Sequence, residues 1–369
     1  MKLSCTQENL NRGLGLVSRM ISSRAALPIL GHALLKTDKG RLKLSATDLE
    51  IGINTWIGAK VEKEGVITIP GRLLSDFVAT CDDKRINLST EKQDLSLKSE
   101  KYQAKVKGTN AEEFPLIPEV KDANNFEISA KSLGEAVSQV VIACAIDESR
   151  PVLSGILIKV AGTKIKIVAT DSYRLAEKTI NLDKNPGFNQ DIVVPAKTMN
   201  ELARILTSVS ASTVKVAVSE NQIQFNIDDT IEVVSRLIEG NFPNYEQIIP
   251  GKYSSQVEAD KDQFGNLIKM ASLFAKEASN NIKIKINKNG KLQVSATAAQ
   301  VGENVSEMPA KITGENNEIS FNAKFISDVL AILPDNKIYL EISGKLNPGV
   351  IKPAGSKNYL YIIMPLRTD

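Results

Sequence analysis

The 369-residue sequence contains one histidine, His32, and that scarcity excludes a good deal. A metal centre built on several imidazoles is impossible, and a Ser-His-Asp arrangement would have to use His32. That residue follows Leu27-Pro28-Ile29-Leu30-Gly31 and precedes another apolar run, which suits a structural or surface position. Cysteine is almost as rare. Cys5, Cys81 and Cys144 are far apart and odd in number, so they read as reduced thiols of a cytoplasmic protein. No apolar run approaches the roughly 18 residues of a membrane-crossing helix. Met1 to Glu8 run into Gln and Glu without an apolar core, unlike a secretion signal. No Gly-rich phosphate loop occurs, and Gly13-Leu14-Gly15 lies inside a helical pattern without a third glycine. Asp82-Asp83 and Asp228-Asp229 sit beside turn-like segments and read as solvated turn residues rather than a paired acid and base. The expectation is a protein without catalysis, metal or cofactor.

What the sequence does have is a threefold repeat. The composition is that of an ordinary globular chain, with 24% charged and 42% hydrophobic residues. Ser45-Ala46-Thr47-Asp48-Leu49-Glu50 recurs as Val168-Ala169-Thr170-Asp171-Ser172-Tyr173, and more weakly as Ser295-Ala296-Thr297-Ala298-Ala299-Gln300. The three threonines are 123 and 127 residues apart. Before each, alternating apolar residues flank a Gly-containing turn at Gly40, Gly162 and Gly290, the mark of a hairpin. After each, a helical pattern opens with a basic residue near its start: Arg72, Lys197 and Lys324, spaced 125 and 127. An amphipathic helix begins each copy, over 6–21, 130–145 and 261–275, with Asp260 and Gln263 placed to cap the last. The predicted domains are 1–122, 123–250 and 251–369. Each is large enough to bury its own core, which makes this no solenoid.

Charge is spread unevenly. The three copies carry net charges of +3, −3 and +3. A protein held on DNA by charge alone has a strongly basic domain or stripe, and this one does not. The basic residue that recurs at one repeat position is therefore the more pointed signal.

Five motifs in order carry a family resemblance. They are Arg24 with Leu27-Pro28-Ile29-Leu30, Ala46-Thr47-Asp48-Leu49-Glu50, Ala169-Thr170-Asp171-Ser172-Tyr173-Arg174-Leu175, Phe242-Pro243-Asn244-Tyr245, and Tyr361-Ile362-Ile363-Met364-Pro365-Leu366-Arg367. Over its whole length the chain resembles the β subunits of bacterial DNA polymerase III, the replicative sliding clamps. The resemblance implies an α+β fold: three clamp domains, each with two helices packed on antiparallel sheets, and a head-to-tail homodimer forming a six-domain ring. Helices about 10 Å across give the arithmetic. Six of them enclose a bore on the order of 10 Å, whereas twelve enclose roughly 28 Å, enough for a duplex on the order of 16–20 Å wide.

Further site readings follow from the same resemblance. Arg24, Arg72, Arg150, Lys197, Arg204 and Lys324 would face double-stranded DNA without reading its sequence. A hydrophobic cleft that takes short peptides of the replicative polymerase, the clamp loader and other clamp-binding proteins would use Leu153, Thr170, Ser172, Tyr173, Arg174, Leu175, Pro243, Gln247, Ile248, Ile362 and Met364. Tyr173 stands where the family often has His, and Gln247 where Arg is common, which alters the expected peptide preference. Leu273 and Phe274 would pack on the neighbouring copy near Val106. The competing reading is a repeat-built transferase, like the enolpyruvyl transferases, with an anionic substrate held between domains.

Overall fold

The computed structural model describes residues 1–21, 27–121, 123–147, 149–300 and 302–367. It divides into two compact units, one made of residues 1–131 with 204–237 and the other of 132–203 with 238–369. Six α-helices occur among the described residues: α1 (Gln7–Val17), α2 (Gly71–Thr80), α3 (Ala130–Val140), α4 (Ala196–Ser208), α5 (Lys261–Ala275) and α6 (Ala323–Ile332). The expected two helices per copy are present. Arg72, Lys197 and Lys324 are each the second residue of a helix. The opening helices of copies one and two are shorter than their pattern suggested. Each ends in a 3-10 turn, Ser18–Met20 and Val141–Ala143, and in the second the β-branched run Val140, Val141 and Ile142 weakens helical propensity.

In the first unit, Thr6 caps α1 by accepting a bond from the Asn9 amide at 3.2 Å, and Leu10, Leu14 and Val17 form its buried stripe. Gly13 lets this helix sit directly on the sheet. A Cβ there would meet Leu44 Cδ1 at 2.7 Å and Ile57 Cγ2 at 2.9 Å. The eight-stranded sheet beneath is antiparallel, and its order joins strands of copy two to strands of copy one. At the seam Ile231–Arg236 pairs with Ile51–Gly58, from Ile231 opposite Thr55 to Ser235 opposite Ile51. A separate five-stranded sheet belongs to copy one alone and ends in Gln103–Lys107.

The second unit repeats the scheme. In its nine-stranded sheet Arg174–Asn181 of copy two pairs with Tyr359–Ile363 of copy three, from Arg174 opposite Ile363 to Lys178 opposite Tyr359. A four-stranded sheet of copy three ends in Gly302–Pro309. Helix α5 is capped as expected, with Asp260 Oδ1 accepting from the Gln263 amide at 2.9 Å. Helix α6 buries Ile326, Val329 and Leu330. One expectation fails. Asp83 is not a solvated turn residue: its side chain is buried and accepts from the Lys101 amide at 2.8 Å, while Asp82 pairs with Lys101 at 3.0 Å. Asp228 and Asp229 do occupy a turn, both with positive φ. His32 is structural. One ring nitrogen lies 3.2 Å from the Pro28 carbonyl and the other 3.4 Å from Thr109 Oγ1.

Candidate functional site

The Thr-Asp turn is built the same way in copies one and two. Thr47 Oγ1 donates to the Ile51 carbonyl and accepts from the Leu49 amide, while Asp48 Oδ1 accepts from the Glu50 and Ile51 amides. Thr170 Oγ1 likewise donates to the Arg174 carbonyl at 2.7 Å and accepts from the Ser172 amide. Asp171 Oδ1 then takes the Tyr173 and Arg174 amides, both at 2.9 Å. The third turn residue has positive φ in both copies, Leu49 at 80° and Ser172 at 77°. Side chains of short polar residues thus supply the partners that the sheet ladder cannot supply at a turn.

The difference that matters lies two positions further on. Copy one has Ile51, which packs in its core. Copy two has Arg174, which is 7% exposed. Its Nε donates to Asp171 Oδ2 at 2.9 Å and its Nη1 to Asp328 Oδ2 on α6 at 2.5 Å, with the Tyr361 hydroxyl at 3.4 Å. Its guanidinium also lies 4.5 Å from the Phe325 ring centroid. Burial opposes the charge, but Tyr361, Asp328 and Asp171 outweigh it and raise the pKa. Lys324 completes the chain of charges, 3.1 Å from Asp328.

Around this cluster lies a cavity of about 480 Å³. One wall is the turn, Asp171 to Arg174; the other is Lys324 and Phe325; Cys144, Ile146, Arg150 and Leu153 are among the rest of the lining. Burial pushes the Cys144 thiol up to about 12, so it serves as an inert apolar wall. Ile146 and Tyr173 are well exposed at the rim, at 95% and 64%. Exposed apolar side chains at the rim of a cavity suit a peptide docking surface.

Of the expected cleft residues, Leu153, Ser172, Tyr173 and Arg174 line this cavity. Leu175 and Ile362 lie beneath, opposite each other across the strand seam, in a buried cluster with Leu157, Val168, Val350 and Tyr245. Thr170 is buried and shapes the turn. Met364 is half-buried and its amide donates to the Tyr173 carbonyl at 2.9 Å. Pro243, Gln247 and Ile248 are exposed in the segment around the 3-10 turn Tyr245–Ile248 and are not among the cavity's lining residues.

The expected duplex-facing residues separate. Arg72 and Lys197 are exposed near the starts of their helices, and Arg204 is half-buried on α4. Arg150 and Lys324 line the cavity, and Arg150 Nη1 donates to Ser172 Oγ at 3.3 Å. Arg24 lies outside the described residues. Among the expected dimer contacts, Leu273 is 53% exposed on α5 beside Met270 at 49%, Phe274 is half-buried and Val106 is buried. Sequence reasoning passed over Phe325 and Asp328. In the sequence Phe325 simply continues the apolar pattern of Ile326, Val329 and Leu330 in α6, and Asp328 has no local signal, standing 154 residues from Arg174.

Comparison with known proteins decides the family. Models of the N-terminal, central and C-terminal domains of the DNA polymerase III beta subunit match residues 1–118, 127–244 and 246–367. The chain belongs to the DNA polymerase III beta subunit family. It is 31% identical to the beta sliding clamp of Synechocystis and 32% to that of Synechococcus elongatus, covering 100% of this chain and 99% of each relative. Its fold matches the DNA polymerase sliding clamp of Bacillus subtilis with a TM-score of 0.94 at 26% identity. It also matches the Pseudomonas aeruginosa sliding clamp bound to griselimycin at 0.95 and 26%, each over 100% of both chains. Three tandem clamp domains of this beta subunit kind are thus shown, and the transferase reading has no support. No helix among the described residues is long and apolar enough to cross a membrane.

Proposed function

We propose that two copies of this chain close head to tail into a cytoplasmic, non-catalytic ring. It encircles duplex DNA and tethers the replicative polymerase, the clamp loader and other partners through the groove of copy two. The pattern of sheet seams carries the proposal. In each unit, the strand after the Thr-turn of one copy pairs antiparallel with the last strand of the next: Ile51–Gly58 with Ile231–Arg236, and Arg174–Asn181 with Tyr359–Ile363. The corresponding strands left over are Gly302–Pro309 of copy three and Gln103–Lys107 of copy one, each the outer strand of its own sheet. An unpaired edge invites another chain, and here repeat symmetry names its partner. Pairing between two chains uses every seam twice and leaves none of these edges open. Exposed Leu273 and Met270 supply apolar surface beside that contact.

A threaded ring needs only weak contacts with phosphate. Net charges of +3, −3 and +3 with single basic residues such as Arg72 and Lys197 near helix starts suit sliding better than a basic stripe would. The test is topological. The protein, once loaded, should stay on nicked circular DNA and leave when the circle is linearised. Equal retention on both forms would mean binding by surface contact alone.

A further inference from the structure

The geometry points to Asp328 as the positioning residue that sets the groove, through Arg174. This inference rests on the groove being the partner site. Asp328 touches both walls. On its own helix it holds Lys324, and across the seam it takes Arg174 Nη1. Arg174 in turn holds Asp171 Oδ2, and the other oxygen of that carboxylate fixes the Tyr173 amide. A continuous chain of charged bonds thus runs from the copy-three wall to the rim residue of the copy-two wall.

Copy one provides the internal control. Its turn has the same hydrogen bonds and the same positive φ with Ile51 in the place of Arg174. An arginine is therefore not needed to fold the turn. Burying one is costly unless its partners are complete, and an apolar residue of similar size does as well or better for stability. The copy that retains the buried arginine is the one whose turn forms a groove wall. An acidic residue also follows the recurring basic residue by four positions in the other copies, Asp76 and Glu201, which suits ordinary support along a helix. Asp328 departs from that role by reaching Arg174.

Three of the five N–H donors of Arg174 are engaged, by Asp171, Asp328 and Tyr361, and its face lies on Phe325, so the side chain is fixed between the walls. Its contribution is to hold the distance between the walls. Removing the Asp328 carboxylate leaves a buried guanidinium short of one charge and frees Lys324 to swing across the groove.

The test measures binding of a fluorescein-labelled tail peptide of the replicative polymerase from the same genome, by anisotropy, to intact protein. Asp328→Asn should weaken binding about tenfold, the loss of one charge-assisted bond. Asp328→Glu should recover most of it, whereas the dimer population, and the retention on circular DNA of protein once loaded, stay as in the parent. The double change Arg174→Met with Asp328→Leu removes both charges and keeps the volume. It should fold as stably as the parent and still bind weakly, which separates a positioning role from a merely structural one. Asp328→Asn binding as tightly as the parent, or the double variant doing so, overturns the inference while leaving the groove in place. No binding by the parent overturns the groove and the inference together.

Discussion

Ile117 fills the space that a side chain on Gly52 would need. A Cβ at residue 52 would lie 2.6 Å from Ile117 Cγ2 and 2.9 Å from Cγ1. Gly52 belongs to the seam strand of copy one, opposite Val234, and Ile117 to the segment joining copies one and two. The connector is thereby seated on the seam it spans.

Replacing Gly52 by Ala should destabilise the chain by about 1–3 kcal/mol, the usual cost of overpacking. Thermal unfolding would show it as a midpoint a few degrees lower. In the background of Ile117→Ala, which removes the Cγ1 and Cγ2 atoms in the way, the same Gly52→Ala change should cost less, and an equal cost in both backgrounds would count against this account.

Alkaline stability should depend on two thiols. Burial raises Cys5 and Cys144 from 9.0 to about 12 in the folded chain. Between those values the folded protein holds protons that the unfolded chain has released. The stabilisation is full below pH 9 and lost as pH rises toward 12, by up to about 1.4 kcal/mol per pH unit for each thiol. Urea unfolding at pH 8 and pH 10.5 would measure it, with a Cys5→Ala, Cys144→Ala double variant losing less than the parent. Equal losses would remove the thiols from the account.

Ring closure through α5 predicts that Leu273→Asp separates the dimer. A charge placed in the core of an interface should raise the dissociation constant at least about a hundredfold. Sedimentation at micromolar concentration would then report monomer, with tail-peptide binding unchanged because the groove lies within one chain. A variant that remained dimeric would move the contact elsewhere.

Much of the fold was legible because repetition amplifies weak local signals. The hairpins at Gly40, Gly162 and Gly290, the basic residue opening each second helix and the Asp260 cap all appear in the structure. Recurrence shows that positions are equivalent but not what each one faces. Lys324 shares its repeat position with Arg72 and Lys197, but it is the one of the three that lines the cavity, beside Arg150. Asp83 was misjudged because its partner, the Lys101 amide, is backbone and leaves no mark in side-chain chemistry. The Arg174–Asp328 pair was out of reach for a different reason. It joins two copies of the repeat, and a period describes what happens within copies.

The three turns are unequal: copy two pairs Asp171 with Arg174, copy one has Ile51 at that place, and copy three has Ala298 where the others have Asp. Valency follows from that inequality. In the proposed ring of two chains there would be six turns, two of them walling the groove described above, so that groove would offer two moorings however many proteins carry a suitable tail. A newcomer whose tail takes the vacant groove is held at an effective concentration on the order of millimolar beside the protein already bound. Exchange on DNA then becomes a contest between neighbours on one ring.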